Sequence, residues 1–345
     1  MRVLTLAVVL VALAWSARLE AKRKDDQIVL ANGDRLVGEI KGLQQGELRF
    51  KADYMLNDMS IDWRQVAELR SFDEFHVRLS SGLHLTGTIE RRPDGSFSIG
   101  GAAGQTTTWQ DVVLLDQAEA SFWAQLKGSI NSGFSYTSGI DQTQFSASGS
   151  ISYAADRYAF GASGSSTFSG QSDGSTTSRN TLNILNQLTL QPKVYGVALT
   201  DFLNSEQQQL DLRTTLGAAL GRWLVLTDKT EVTAFGGAVY THEEYSAPPD
   251  PSQPGSQVAN NVELVLGLGF AYYHFKTVDV RSNLSVYPSL TTWGRVRLSY
   301  APTLNLEIAR NLYWNFTLYE NYDSHPPVNA NKNDFGITNS IGWKF

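Results

Sequence analysis

The second half of the chain alternates between apolar and polar residues over long stretches. In the clearest stretch, apolar residues occupy every second position from Val296 to Ile308, and mostly polar residues stand between them. Successive side chains of a β-strand point to opposite faces, so this pattern gives one apolar and one polar surface. The stretch exceeds the average strand of about five or six residues and reaches the ~9–11 residues that a membrane strand needs. The pattern therefore predicts a strand that crosses a membrane.

The same alternation recurs twelve times between residues 122 and 345. The predicted strands start near Gln125, Gln144, Tyr158, Thr181, Val194, Leu212, Thr230, Val258, Val278, Arg295, Leu312 and Asp334. Every second connection is short and polar, at 155–157, 191–193, 227–229, 276–277 and 309–311, and most of the others are longer. An even number of strands, with short periplasmic turns and longer outer loops, is typical of outer-membrane barrels. The pattern predicts a 12-stranded antiparallel transmembrane β-barrel.

The first 21 residues have the features of a secretory signal peptide. Arg2 precedes a mostly apolar run from Val3 to Ala14, and small residues follow it. As a helix this run would span ~18 Å, which is too short for a bilayer core of roughly 30 Å. We therefore expect export, with cleavage after Ser16 or after Ala21.

Residues 26–118 contain an internal repeat. Residues 29–40 align with residues 78–89, and each copy carries a glycine in a predicted hairpin turn, Gly33 or Gly82. Turns of this kind need residues that adopt positive φ, which glycine does without steric cost. Each copy therefore reads as several short strands joined by tight turns.

Two tryptophans occupy the same position of the two copies. Trp63 and Trp109 each stand three residues before a valine, which favours packing in a core over a role as a ligand platform. We expect two tandem small β-barrels, SH3-like or Sm-like, at residues 26–72 and 73–118. Together with the large barrel, and after a signal peptide, they would make the chain all-β.

Composition narrows the possible functions. The 345 residues include no cysteine, which excludes disulfides, thiolate metal sites and a cysteine nucleophile. The mean hydropathy of −0.22 excludes a bundle of transmembrane helices. Residues 26–120 hold 15 acidic and 9 basic side chains, so nucleic acid is not expected as a partner. No His and carboxylate cluster has the spacing of metal ligands, and no cofactor is expected.

Residues 122–345 also resemble a known family. The matching segments are Asp201, Asp211–Arg213, Tyr287–Leu290, Tyr322–Pro327, Asp334 and Gly342–Phe345. They are similar to an outer-membrane β-barrel domain family of unknown function, known as salt-induced outer membrane protein. One departure is Ile140, which follows Ser138 and Gly139 where the family has an asparagine. The resemblance implies a location and an architecture but no reaction.

The polar face of the predicted strands carries charges of both signs. The side chains expected to line the lumen are Lys127, Arg213, Glu231, Glu263, Arg281, Arg295, Arg297, Glu307 and Lys344. Buried charges must be paired or solvated, so they would either line a narrow water-filled passage or pair into a plug. We expect a non-enzymatic protein, either a narrow pore or a structural barrel, with a docking module.

The expected partners follow from this architecture. The apolar strand faces would contact outer-membrane lipid. The C-terminal Phe345 follows alternating apolar residues and resembles the signal that the barrel-insertion machinery reads. The N-terminal repeats would lie in the periplasm and bind a periplasmic protein or the cell wall.

Two other functions stay open from the sequence. An outer-membrane hydrolase, either a protease or a lipase, would need a catalytic group at the rim of the barrel. The nearest candidates are His242, Glu243 and Glu244, with Asp201 or Asp211 across the barrel. A soluble exported β-rich binding protein would instead cover its apolar strand faces with a second sheet.

Overall fold

The computed structural model describes residues 25–100, 104–118, 126–137, 142–155, 157–170, 176–246, 258–274, 278–309, 312–326 and 331–344. These residues form β-strands and single 3-10 turns, with no α-helix among them, so the predicted all-β class is confirmed. Within this part of the chain, no helix is long and apolar enough to cross a membrane. The expected signal peptide at residues 1–21 lies outside the described residues.

Residues 26–117 form one antiparallel sheet. Its strands are β1 (Asp26–Leu30), β2 (Arg35–Gln44), β3 (Glu47–Lys51), β4 (Met59–Asp62), β5 (Val66–Leu79), β6 (His84–Arg91), β7 (Ser96–Ile99), β8 (Gln105–Thr108) and β9 (Val112–Gln117). The order is β4-β3-β2-β1-β5-β6-β7-β8, and β9 pairs with both β2 and β5. One hydrophobic core takes residues from both repeat copies, among them Phe50 and Phe97.

The internal repeat is visible as repeated local geometry. Trp63–Gln65 and Trp109–Asp111 are both 3-10 turns, and the valine after each has almost the same backbone angles, φ −81° with ψ 115° or 114°. Gly33 and Gly82 both adopt a positive φ, at 90° and 82°. Equivalent residues of the two copies therefore take equivalent conformations.

The two copies are joined through a shared strand. The expected boundary between residues 72 and 73 falls inside β5, which pairs with β1 in its first half and with β9 in its second half. Each copy also lends its last strand to the other, since β9 pairs with β2 and the start of β5 pairs with the end of β6. The copies thus share a sheet and a core, where the sequence predicted two separate barrels. We call this unit, residues 26–117, the N-terminal sheet domain.

The two repeated tryptophans meet inside this domain. Trp63 is fully buried, and its Nε1 donates to the carbonyl oxygen of Trp109 at 3.1 Å. The two rings pack edge to face with centroids 6.2 Å apart. The guanidinium of Arg91 lies over both rings, and its burial lowers the pKa of Arg91 to about 10. The tryptophans therefore hold the two copies together.

Residues 127–344 form a closed ring of twelve antiparallel strands. They are β10 (Lys127–Thr137), β11 (Gln142–Ala155), β12 (Tyr158–Gly170), β13 (Thr176–Gln191), β14 (Val194–Ser205), β15 (Leu210–Leu226), β16 (Thr230–Tyr245), β17 (Val258–His274), β18 (Val278–Pro288), β19 (Val296–Ala309), β20 (Leu312–Asp323) and β21 (Asn333–Lys344). Pairing of β10 with β21 closes the ring. The predicted 12-stranded barrel is confirmed.

The two ends of the barrel differ in their connections. At one end, which we call the turn end, two or three residues join consecutive strands, as at 192–193 and 227–229. At the other, the loop end, connections such as 246–257 and 324–332 are longer. Because β10 begins at the turn end, the chain runs from the N-terminal sheet domain into the barrel at that end.

The outer face of the barrel is apolar. The exposed apolar side chains include Leu182, Leu216, Leu220, Leu264, Leu266, Leu268, Phe270, Ile337 and Ile341. The strands have 11 to 17 residues, enough to cross a bilayer core. Among the described residues, no second sheet covers this face. The chain therefore has the architecture of a transmembrane barrel and not that of a soluble sandwich.

Candidate functional site: the barrel lumen

A polar cavity of about 540 Å³ lies inside the barrel. Most of its wall consists of small hydroxyl and amide side chains at every second position, among them Ser129, Asn131, Ser146, Ser148, Ser150, Ser163, Ser165, Thr167, Thr181 and Asn183. They belong to β10–β13, whose intervening residues point outward. Four charged side chains also line the cavity, Arg179, Asp201, Arg213 and Arg297. The lumen therefore holds a space that water and small polar molecules can occupy.

A buried ion-pair network lies at the loop end of the lumen. Arg295 donates to both carboxylate oxygens of Glu243, at 2.7 and 2.8 Å, and to Asp323 at 3.1 Å. Arg213 donates to Glu243 at 2.7 Å and lies 3.5 Å from Asp323. All four side chains are buried. Because each charge has an opposite partner and directed hydrogen bonds, the cost of burying it is offset.

A second set of pairs lies beside this network. Arg297 donates to both oxygens of Glu263, one of them at 2.9 Å, and to the hydroxyl of Thr241. Arg179 lies 3.5 Å from Asp334, which accepts a hydrogen bond from a serine hydroxyl at the end of β14. Four arginines therefore face four carboxylates. We call these eight residues, Arg179, Arg213, Glu243, Glu263, Arg295, Arg297, Asp323 and Asp334, the loop-end network.

The loop-end network crosses the lumen. The contact of Arg213 with Asp323 joins β15 to β20, five strands apart around the ring. The contact of Arg179 with Asp334 joins β13 to β21, four strands apart. Side chains that reach each other from such distant strands must pass through the interior. The network therefore narrows the lumen at this end.

One charged side chain of the cavity stands outside these pairs. Asp201 on β14 lines the cavity and forms no ion pair with any residue that the structure describes. The four arginines of the loop-end network are balanced by four other carboxylates. The charged lining therefore consists of three arginines, each paired with a carboxylate of the network, and the carboxylate of Asp201.

Apolar side chains fill the middle of the lumen along β14–β18. Ala219, Val239 and Val265 are buried there, and the side chains packed on them are Leu199, Phe235 and Tyr287. They occupy the same strand faces as the charged residues nearer the loop end. This side of the lumen is therefore solid, whereas the side formed by β10–β13 is hollow.

Aromatic rings in the lumen lie over glycines on the neighbouring strand. Phe235 is opposite Gly267, Tyr195 is opposite Gly221, and Tyr319 is opposite Gly336. A methyl group added at any of these glycines would overlap the ring. The glycines therefore leave the space in which large rings lie flat along the wall.

The structure brings four of the predicted lumen residues together and separates the others. Arg213, Glu263, Arg295 and Arg297 belong to the loop-end network. The remaining predicted residues, Lys127, Glu231, Arg281 and Glu307, lie at lumen-facing positions near the turn end, and the side chain of Lys344 lies outside the described residues. Of these, Arg281 pairs with Asp279 at 3.1 Å. Glu231 and Lys127 instead contact the N-terminal sheet domain, through Arg78 and Gln44.

The candidate hydrolase residues are not assembled into one site. His242 faces outward at the loop end, and its partners are Asn260 at 2.7 Å and Glu244 at 3.4 Å. Glu243, one position along the strand, points inward and is fully buried. Asp201 lines the lumen cavity, and Asp211 bonds to Ser246. Alternation along the strands therefore divides these groups between two faces of the wall.

Four of the eight residues of the loop-end network were not predicted from the sequence as lumen residues. Arg179, Asp323 and Asp334 were not predicted to face the lumen, and Glu243 was considered only as a rim catalyst. Each stands an even number of positions from a lumen-facing residue on its own strand, so the alternation could have found it. Their partners could not be found, because they lie on strands far away in the sequence.

Among the described residues, no group of His, Asp and Glu has the arrangement of a metal site.

The model of the family described as "Protein of unknown function, DUF481" matches residues 130–345. The chain belongs to this family. The match covers nearly the whole barrel and leaves the N-terminal sheet domain outside, and the description names neither a location nor a reaction. A search of curated proteins finds no match to this chain.

Several solved membrane barrels are similar in outline. The NanC porin is 11% identical with a TM-score of 0.38, over 64% of this chain and 98% of the porin. An outer membrane channel from Pseudomonas putida F1 is 14% identical with a TM-score of 0.35, over 64% and 94%. The translocator domain of the autotransporter NalP from Neisseria meningitidis is 12% identical with a TM-score of 0.33, over 64% and 87%. At such low scores, none of them supports a function for this chain.

Proposed function

We propose that the chain is an outer-membrane channel for small hydrophilic solutes, narrowed at the loop end. The observation that carries this proposal is the hydroxyl-lined cavity of about 540 Å³ inside a barrel with an apolar outer face. A barrel that served only as a support would need no polar space in its interior. The hydroxyl and amide groups of its wall can solvate a small polar molecule, so transport is the role that it favours.

The orientation follows from the connections. Outer-membrane barrels have short periplasmic turns and longer outer loops, so the turn end would face the periplasm. The N-terminal sheet domain would then lie in the periplasm as well. Export by the signal peptide at residues 1–21 and insertion guided by Phe345 are part of this proposal.

The loop-end network sets the size of the passage. Its side chains reach across the lumen, so permeating solutes must pass beside them. The same network favours a second candidate function, a structural barrel that conducts nothing. Conductance separates the two candidates, because a closed structural barrel carries no current.

The carboxylate in the cavity wall predicts an ion preference. Asp201 is the one lining carboxylate outside the loop-end network, and it would attract cations and repel anions when ionised. We therefore propose that the channel prefers cations and uncharged polar solutes to anions.

Single-channel recording in planar bilayers tests the proposal. The intact chain should show small, brief openings. In the double variant Arg297→Gln with Glu263→Gln, both partners of one buried pair lose their charge together, so no unpaired charge remains. We expect a larger current per opening, because Arg297 lines the cavity and glutamine is shorter than arginine.

The matched control uses the same substitutions at an exposed pair. Arg92 and Glu90 form an ion pair at 3.2 Å on the N-terminal sheet domain, far along the chain from the loop-end network. Arg92→Gln with Glu90→Gln should leave the current unchanged. Silent membranes for both the intact chain and the Arg297 and Glu263 variant would contradict the channel and favour the structural barrel.

A further inference from the structure

The N-terminal sheet domain has an apolar contact with the interior of the barrel. Val112 and Val113 are neighbours on β9 and point to opposite sides, Val112 into the domain's own core and Val113 toward the barrel. Val113 is buried with Tyr195, Trp223 and Leu226, which face the lumen near the turn end. A buried valine on the outside of one unit therefore fits an apolar socket in the other. We call this socket the seat.

Polar contacts surround the seat. Arg78 of the domain lies 3.5 Å from Glu231 on β16, and its guanidinium lies 5.6 Å from the ring centre of Trp223. On another part of the rim, Lys127 at the start of β10 hydrogen-bonds to Gln44 of the domain. Charged contacts of this kind fix the orientation of one unit on the other.

Two glycines of the domain allow its backbone to approach the rim. A Cβ added at Gly46 would lie 3.1 Å from the carboxylate of Asp228, in the turn between β15 and β16. A Cβ at Gly82 would overlap the backbone of Lys193, in the turn between β13 and β14. Both glycines also adopt positive φ. The domain is therefore in van der Waals contact with the turn end at two further points.

These contacts extend around half of the rim. They involve β10, the turn between β13 and β14, β15, the following turn and β16, which together run halfway around the ring. Since Tyr195, Trp223 and Glu231 face the lumen, the domain meets the inside of the mouth and not the lipid-facing outside. A folded domain in this position covers the opening through which a solute would reach the cavity.

We propose that the N-terminal sheet domain is a stopper for the turn-end mouth and that it must leave the seat before solutes reach the lumen. This proposal rests on the proposed channel only in its statement that solutes pass through the lumen. Closure of the mouth can be measured without any current. It gives the domain a function of its own, which is to regulate access to the barrel of the same chain.

The variant Val113→Asp tests the seat. A carboxylate would be buried against the apolar side chains of the seat, whereas Val112 and the domain core stay unchanged. The matched control is Val37→Asp, at an exposed valine of the same domain (54% exposed). We expect Val113→Asp to raise the frequency of channel openings by about tenfold or more, the ratio that corresponds to a tenfold shift in the closed-to-open equilibrium. The size of each opening should not change.

A disulfide that holds the domain in place gives the opposite test. The chain has no cysteine, so the pair Gly46→Cys with Asp228→Cys forms the one possible intramolecular disulfide. The oxidised protein should lose its openings, and reduction should restore them. Each single cysteine variant should respond to neither treatment.

Thiol labelling reports closure of the mouth without conduction. Ser163 lines the cavity, so the variant Ser163→Cys places one thiol there. Maleimide should react at least about tenfold faster with this thiol when Val113→Asp is present, and at the unchanged rate with Val37→Asp. Resistance to protease checks that the N-terminal sheet domain of the Val113→Asp variant is still folded.

The two proposals fail in different ways. If the labelling rate is the same in all backgrounds, the stopper is contradicted, whether or not current flows. If labelling accelerates in Val113→Asp but no variant conducts, the stopper stands and the channel fails. If openings become more frequent and labelling accelerates only in Val113→Asp, both are supported.

Discussion

The two sides of the barrel lumen have the same strand pattern, but one side is hollow and the other is filled with side chains. Along β10–β13, the inward positions carry small polar residues such as Ser148 and Ser163, which leave a cavity. Along β14–β18, the inward positions carry Phe235, Val239 and Val265 together with buried charges, which fill most of the space, and a few residues such as Asp201 line the edge of the cavity. The alternation decides which residues face inward, and the volume of those residues decides whether the lumen is open.

Substitutions on the two sides of the lumen should therefore affect different properties, stability on the solid side and permeation on the hollow side. On the solid side, the buried apolar and charged side chains contact partners on other strands, so a substitution there should destabilise the barrel. On the hollow side, small side chains face water, so a substitution should change what fits in the lumen and little else. Paired substitutions on the two sides test this division.

The largest difference is expected for the ionic part of the solid side. Glu243→Gln removes the charge that Arg213 and Arg295 both contact, and it leaves two buried guanidinium groups with fewer partners. We expect a loss of about 3–5 kcal/mol in the free energy of unfolding. Ser163→Ala on the hollow side should cost less than about 0.5 kcal/mol. Urea unfolding in detergent micelles measures both, and equal costs would remove the division.

A smaller difference is expected for two glycines that both face the lumen. Gly267 lies under the ring of Phe235, whereas a Cβ at Gly161 would meet no atom within 4 Å. Gly267→Ala should therefore destabilise the barrel by about 1–3 kcal/mol through overpacking. Gly161→Ala should be close to neutral in the same unfolding measurement. A neutral Gly267→Ala would show that this side of the lumen is not tightly packed.

The smallest effect is expected for the charge in the cavity. Asp201→Asn should lower the preference for cations over anions about fivefold, since a unit charge a few ångströms away in water is worth about 1 kcal/mol. Asp211→Asn, which removes an equal charge at an exposed position of the loop end, is the matched control. Reversal potentials in a salt gradient give both ratios. An unchanged ratio in Asp201→Asn would place the permeation path elsewhere.

Much of the barrel could be predicted from the sequence alone. The predicted starts at Tyr158, Val194, Thr230, Val278 and Leu312 agree with the structure to the residue. These five follow turn-end connections, where a tight polar turn marks the change of direction, and a sixth exact start, Val258, follows the long connection 246–257. At the loop end, the predicted start at Thr181 is five residues late, because β13 already begins at Thr176 and continues past the membrane-like pattern.

Contacts between distant segments could not be predicted in this way. Nothing in the sequence near Glu243 indicates that Arg295 will reach it across the lumen. The alternation that identifies inward positions is local, whereas the identity of the opposite partner depends on how the ring closes. The same holds for β5, since its two halves pair with strands of different repeat copies, and for the seat of Val113.

The most direct test of the channel is the swelling of liposomes that contain the intact chain in solutions of uncharged sugars. Small sugars should enter faster than in liposomes without protein, and faster still with Arg297→Gln and Glu263→Gln, because the loop-end network is then loosened. Large sugars should stay outside in both cases. If neither protein exceeds the protein-free rate for the smallest sugar, the lumen is not a passage, and the hollow side of the barrel has no role in transport.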